Sequence, residues 1–354
     1  MSFNIMRVLL SLSLSQGLAW NAWATETRPG FYNAEIDDDK PILAINLTHN
    51  KADADNTATQ NGVTTKQTSK TETDTIGFSF SSASKSGFVF NFGRNQQDSS
   101  GRKLANTLIG VNYELPNDLT KFGVIAEYTE HPTMSDFQRV ILNASHEIEF
   151  GTGELSMYGT QGFVFNNAPH NKDGSSGSTI GLNFHVDDDM ATTTFGTRYV
   201  KSKSYSYNVT TGQTKVWWRD DTIFSGTTLR KFTNHRIGIG GHYKFTDDLR
   251  LSDQIDGRLI WVFDQPSWQT KSELFWTKQK YKSDSLNLRD DGDTVGVSLR
   301  YVRQINNNIS FHVDATFSEG SQFSRHSNPV NATEATSKTV AQNTVISLGT
   351  NYQF

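Results

Sequence analysis

Ile309-Ser310-Phe311-His312-Val313-Asp314-Ala315-Thr316-Phe317 is apolar at every second position and mostly polar between. Successive side chains of a β-strand point to opposite faces, so this stretch reads as a strand lying between two unlike environments. The pattern recurs in both directions along the chain. Ile109-Gly110-Val111-Asn112-Tyr113-Glu114-Leu115 and Ile180-Gly181-Leu182-Asn183-Phe184-His185-Val186 place large residues on one face and Gly, Asn, Glu or His on the other. Val295, Val297, Leu299 and Tyr301 alternate with Gly296, Ser298 and Arg300. No stretch carries a helical period. The chain is all-β.

Composition narrows the setting. The 354 residues carry a net charge of −4, a pI near 6.1, no cysteine and a mean hydropathy of −0.54. A polytopic helical membrane protein needs repeated apolar runs of about 20 residues, and none follows the first 24 positions. The acidic balance argues against a nucleic-acid binder, and the missing cysteines exclude a disulfide scaffold and cysteine-based zinc sites. An aromatic content of 12% is too high for a disordered chain.

The N-terminus reads as an export signal. Arg7 precedes the short apolar run Val8–Leu14, and Ala22-Trp23-Ala24 offers a small-x-small cleavage site. The expected division is a signal peptide over 1–24, a periplasmic lead-in over 25–41 containing Asp37-Asp38-Asp39, and a β-barrel over 42–354.

Connections sort by length. Short, turn-rich ones fall at 84–87, 116–118, 151–153, 187–189, 246–248 and 306–308, and long polar ones near 51–75, 95–106, 130–137, 166–177, 201–235, 264–292 and 319–343. Asp, Asn and Gly suit tight turns. Alternating short turns and long loops mark a transmembrane barrel, with turns on one side of the membrane and loops on the other. A soluble sandwich would not sort its connections in this way. Thr344, Ile346, Leu348, Thr350, Tyr352 and Phe354 then share one face of the last strand. This strand, ending Tyr352-Gln353-Phe354, resembles the assembly signal of Gram-negative outer-membrane barrels. The mature chain is similar in pattern to porins and to solitary autotransporter-type barrels. The resemblance implies an outer-membrane location, contact with outer-membrane lipid, and recognition of the Phe354 strand by the assembly machinery.

Seven long loops and six short turns predict fourteen antiparallel, up-and-down strands, at 42–49, 76–83, 88–94, 107–115, 121–129, 138–149, 154–165, 178–186, 191–200, 236–245, 249–263, 293–302, 308–318 and 344–354. Within 249–292, either Ile255–Phe263 or Glu273–Tyr281 serves as the eleventh strand, and one overcounted hairpin would leave twelve. Tyr205–Val209 and Thr214–Trp218 read as a hairpin above the membrane.

Catalytic motifs are missing. Arg325-His326-Ser327-Asn328 is the nearest string, but its adjacent His and Ser are poorly placed to act as base and nucleophile. His185, His242 and His312 fall on the inner face of non-adjacent strands, which suits lumen lining better than a metal site. No enzyme activity, metal or cofactor is expected. The inner face does carry charge. Glu114, Glu127 and Glu147 are expected on one wall, and Arg198, Arg236, Lys244 and Arg300, with His242, on the other. Facing walls of opposite sign would set a transverse field across a wet pore. The sequence therefore predicts a porin-like passive channel for small hydrophilic solutes. Its alternatives are a surface barrel acting through long loops, including Trp217-Trp218, and, further behind, an outer-membrane enzyme.

Overall fold

The computed structural model describes residues 41–60, 63–82, 88–99, 102–115, 119–130, 136–166, 171–208, 212–246, 253–283, 288–328 and 333–353. The expected signal peptide and almost all of the lead-in, like Phe354, lie outside these residues. Every regular element among the described residues is a strand. In chain order they are β1 Ile42–Gln60, β2 Val63–Ser81, β3 Phe88–Ser99, β4 Arg102–Glu114, β5 Thr120–Glu130, β6 Phe137–Phe150, β7 Gly153–Asn166 and β8 Asn171–Asp187. They continue with β9 Ala191–Asn208, β10 Gln213–Lys231, β11 His235–Thr246, β12 Asp253–Gln265, β13 Trp268–Ser283, β14 Leu288–Asn306, β15 Ile309–Asn328 and β16 Thr333–Gln353.

Each strand pairs antiparallel with its chain neighbours, and β1 pairs with β16 to close the barrel, from Ile42↔Gln353 to Gln60↔Ala335. Followed across all sixteen ladders, the register returns to β1 displaced by 18 residues. With strands about 4.8 Å apart and about 3.3 Å per residue, that offset tilts them by roughly 40° and gives a backbone diameter of about 30 Å. Barrels of sixteen strands generally have more room inside than their inner side chains fill.

The two faces invert the rule for soluble proteins. Ile141, Ile260 and Val262 are the buried hydrophobics among the described residues, whereas Ile180 (68% exposed), Ile239 (62%) and Ile109 (57%) stand on the outer surface. The outward positions form an apolar belt. At the end where β1 begins and β16 finishes, here the near end, that belt carries aromatic contacts: Phe88 with Tyr113, Phe150 with Phe184, and Phe263 with Trp268 and on to Tyr301. Inward positions are mostly Asn, Ser, Thr, Gly and charged residues, with a few apolar ones such as Ile141, Ile260 and Val262.

Near-end turns are tight for identifiable reasons. Gly151 sits at φ +58 in the connection between Phe150 and Gly153, a left-handed conformation that a Cβ would strain. The Asp188 carboxylate accepts from the Met190 and Ala191 amides, both at 2.7 Å. Asn306 does the same for Asn308 and Ile309, at 2.9 and 2.8 Å. These self-templated turns account for the Asp187–Asp189 and Asn306–Asn308 clusters.

The strand number corrects the sequence reading: sixteen, not fourteen or twelve. Both additions come from stretches assigned to loops. Residues 201–235 continue β9 to Asn208 and supply the whole of β10, and both alternatives within 249–292 are strands, β12 and β13. As a result β11 and β12 run opposite to the expected sense, and Thr246 ends β11 at the far end rather than the near one; 247–248, expected as a turn, lie outside the described residues. The expected loops at 51–75 and 319–343 are also largely strand: β1 and β2 have 19 residues each, β15 has 20 and β16 has 21. The cause is that alternation marks a strand only within the apolar belt. Beyond it both faces are wet, and a strand there is polar throughout. In β10 the alternation fails even inside the belt, because Ile223 and Leu229 face inward while Thr222 and Thr228 face outward.

Phe224, 44% exposed on the outer face of β10, tests this assignment. Phe224→Arg is expected to destabilise the barrel in lipid by about 2–4 kcal/mol, the mid-belt cost of a cation, and Ser225→Arg, facing inward, by much less. Urea unfolding of barrel reconstituted in vesicles measures both. Equal stability of the two variants would return 213–231 to a loop.

Candidate functional site

The lumen divides into two sectors, and the division follows from which residues share a face. On β16 and β1 through β8 the inner face is largely amides, hydroxyls and glycines. On β10 through β15 it is dense with charge.

In the first sector, asparagines lie flat against glycines on neighbouring strands. The Asn112 and Asn143 side chains occupy the space that a Cβ on Gly123 would need. Asn95 covers Gly77, Asn183 covers Gly196, and Asn46 covers Gly349 in the same way. Tyr158 lays its ring over Gly181, and on the charged side Phe275 covers Gly296. A glycine under each of these side chains lets it lie along the wall instead of projecting, which keeps the lumen wide.

In the second sector the charges meet opposite charges on an adjacent strand or on their own. Arg236 grips Asp264 through Nε and Nη2, at 2.8 and 3.0 Å, and Gln269 donates to the same carboxylate at 2.6 Å. His242 pairs with Asp256, which also accepts from the His242 backbone amide at 3.0 Å. Arg258 stands 3.7 Å from both Asp256 and Glu273, and Lys271 contacts Glu273 at 2.6 Å. Lys244 faces Asp221 at 3.8 Å. Arg300 holds Asp314 in a two-point contact at 2.5 and 3.1 Å, with His312 4.0 Å from the same carboxylate. Two-point guanidinium–carboxylate pairs fix both side chains and leave little net field outside.

The expected pore-lining residues can now be placed. Glu127, Glu147, Arg198, Arg236, His242, Lys244 and Arg300 all fall on the inward register of their strands. Glu114 closes β4 opposite Lys121, and its side chain is outside the described residues. They do not form an acidic wall facing a basic one. Glu127 is bound by Arg139 at 2.5 Å and by the Asn106 amide, and Arg236, Lys244 and Arg300 are matched as above. The sequence reading missed Asp264 and Asp221, the partners of Arg236 and Lys244, because both lay in stretches assigned to loops. Arg198 differs: it has no ion pair among the described residues. Within them, no group of three or more His, Asp or Glu is arranged to hold a metal ion. The side chains of His326 and Ser327 lie outside them.

No family profile and no curated protein matches the chain. Solved structures do resemble it at low identity. The ferric citrate transporter FecA is similar at a TM-score of 0.46 and 10% identity, covering 90% of this chain and 79% of its own. A Pseudomonas aeruginosa FadL homologue gives 0.42 and 11%, covering 91% and 93%. The outer membrane transporter YddB from Escherichia coli gives 0.42 and 10%, covering 80% and 57%.

Two outcomes follow from the wall geometry. Gly123→Leu must lift Asn112 and Asn143 into the lumen, which only rotates flexible side chains, so pore conductance should fall while the barrel still folds. Asp264→Ala removes the two-point partner of Arg236, whose side chain is 9% exposed, and should cost about 1–3 kcal/mol, read as a lower urea midpoint.

Proposed function

We propose that this chain is an outer-membrane channel through which small hydrophilic solutes diffuse passively. One observation carries the reading: a closed sixteen-strand barrel, apolar outside, polar inside, and about 30 Å across its backbone. Lipid offers no hydrogen-bond partner, so only a sheet without edges can present such an outer face to it. Eight strands are just filled by inner side chains, whereas sixteen-stranded barrels leave an aqueous path. The work is passage rather than catalysis. The near end then faces the periplasm and the far end the exterior. Residues 1–24 act as the export signal, cleaved after Ala24, and the strand ending at Phe354 is read by the assembly machinery.

A second reading has its own observation. The strands of β1, β2, β9, β10, β15 and β16 are 18 to 21 residues long, more than an apolar band about 25 Å tall requires. Their hairpins project past the belt, and Trp218 is exposed there with Lys201 and Lys203 over its ring at 5.8 and 5.0 Å. Surface contact through these hairpins is compatible with an open lumen.

Planar-bilayer recording and liposome swelling test the channel. The purified barrel should conduct in steps and admit sugars. Arg300→Glu should shift the reversal potential toward cation preference, and Arg300→Glu with Asp314→Arg should restore it, because the swap rebuilds the pair. The single-variant shift should shrink as salt rises, since the screening length falls from about 30 Å at 0.01 M to about 3 Å at 1 M. Silence of the wild-type protein in both assays would leave only the surface-contact reading.

A further inference from the structure

Resting on the channel reading, we infer that Arg198, Tyr158 and Asn183 form a subsite in the lumen wall for a small polyhydroxylated anion. The inference starts from charge. The cations Arg139, Lys231, Arg236, Lys244, Arg258, Lys271 and Arg300 each have a carboxylate within 4.0 Å. Arg198 points into the same lumen and makes no ion pair among the described residues. Its cross-strand neighbours are Gly181 on β8 and Ile223 on β10, neither of which offers a charge or a side-chain acceptor. Asp221, two positions from Ile223 on the same inner face of β10, has Lys244 within 3.8 Å, and a matched pair cancels much of its own field, so Arg198 contributes strongly to the potential around it. In a water-filled passage with low-dielectric walls, a cation with no ion pair among the described residues concentrates anions.

The wall beside it supplies the remaining chemistry. Tyr158 lays its ring over Gly181, the residue opposite Arg198 on the same inner face, so an aromatic ring and the cation belong to neighbouring positions of one wall. Asn183 covers Gly196, two positions along β9 from Arg198 on the same inner face, and Ser225 approaches that glycine from β10. The amide can both donate and accept, as can a hydroxyl, and the ring offers an apolar face on which the C–H side of a polyol can rest. Guanidinium, amide and aromatic face together match a solute with one carboxylate or phosphate and several hydroxyls. A bare inorganic anion would use only Arg198, and a neutral sugar only Tyr158 and Asn183.

The test compares gluconate with glucose, close in size and differing in charge, on the full-length barrel in liposomes and planar bilayers. Wild type should prefer chloride to potassium in a salt gradient and should swell liposomes faster in gluconate, relative to glucose, than Arg198→Gln does by a factor of about three or more. Arg198→Lys should keep the anion preference. Tyr158→Ala should keep it too but slow swelling in both gluconate and glucose, since both solutes would rest on the ring, and unchanged swelling in both would remove Tyr158 from the subsite. Lys278→Gln, which removes a cation from the outer face of β13, should behave as wild type. An unchanged reversal potential and an unchanged gluconate-to-glucose ratio in Arg198→Gln overturn the subsite while leaving the channel standing. No swelling with glucose and no current in wild type overturn the channel, and the subsite with it.

Discussion

Every backbone amide and carbonyl inside a bilayer must find its partner within the protein, because hydrocarbon supplies none. For a chain whose described residues hold no long apolar helix this leaves one solution, a sheet that returns to its own first strand. The β1–β16 ladder is where the condition is met, and its register from Ile42↔Gln353 onward determines much else. The 18-residue offset sets the tilt, the tilt sets the circumference, and the circumference leaves space inside. The reversal of apolar and polar faces is a second result of the same condition. Ile180 and Ile239 can be largely exposed, and Arg236 nearly buried, because the solvent has changed sides.

Inside, the protein meets a different demand. A wide lumen lined with charge would repel itself or fill with mobile counter-ions, and here the charges are matched strand by strand. Asp221, Asp256, Asp264, Glu273 and Asp314 are each paired with a cation or a histidine from the next strand or their own. The amide sector avoids the problem altogether, with neutral side chains laid against glycine. Arg198 stands out against this background as an inward cation with no ion pair among the described residues.

The fold class was legible wherever the outer face meets the apolar belt. Ile309–Phe317, Ile109–Leu115 and Ile180–Val186 announced themselves because one face needed to be apolar and the other polar. The strand number was not legible, because β10 breaks the code: Ile223 and Leu229 point inward, and Thr222 and Thr228 outward. A sheet neighbour on each side holds such a strand in place whatever its own pattern, and pattern reading sees only the strand. Inward positions of Glu127, Arg198, Arg236 and Arg300 were readable from parity alone. Their partners were not, since pairing Arg236 with Asp264, or Arg258 with Glu273, requires knowing which strands are adjacent. One missed strand shifts every later adjacency and reverses the sense of β11 and β12.

Closure also has a consequence for how the chain reaches this state. Fifteen of the sixteen ladders join strands consecutive in sequence, and each can form as a hairpin of a few tens of residues. The sixteenth joins residues about three hundred positions apart. Loop-closure entropy grows only logarithmically, so bringing those two edges together costs about 3 kcal/mol more than closing a hairpin turn of about ten residues. The kinetic burden is larger, because contacts this distant in sequence are slow to form. Until they do, β1 and β16 are both open edges, each able to template the matching edge of another copy. Both edges carry the full length of the barrel, 19 and 21 residues, so an unclosed sheet exposes its longest pairing surfaces when it is least protected. Timing of the last ladder, more than the stability of the other fifteen, then decides between a monomeric ring and a chain of joined sheets.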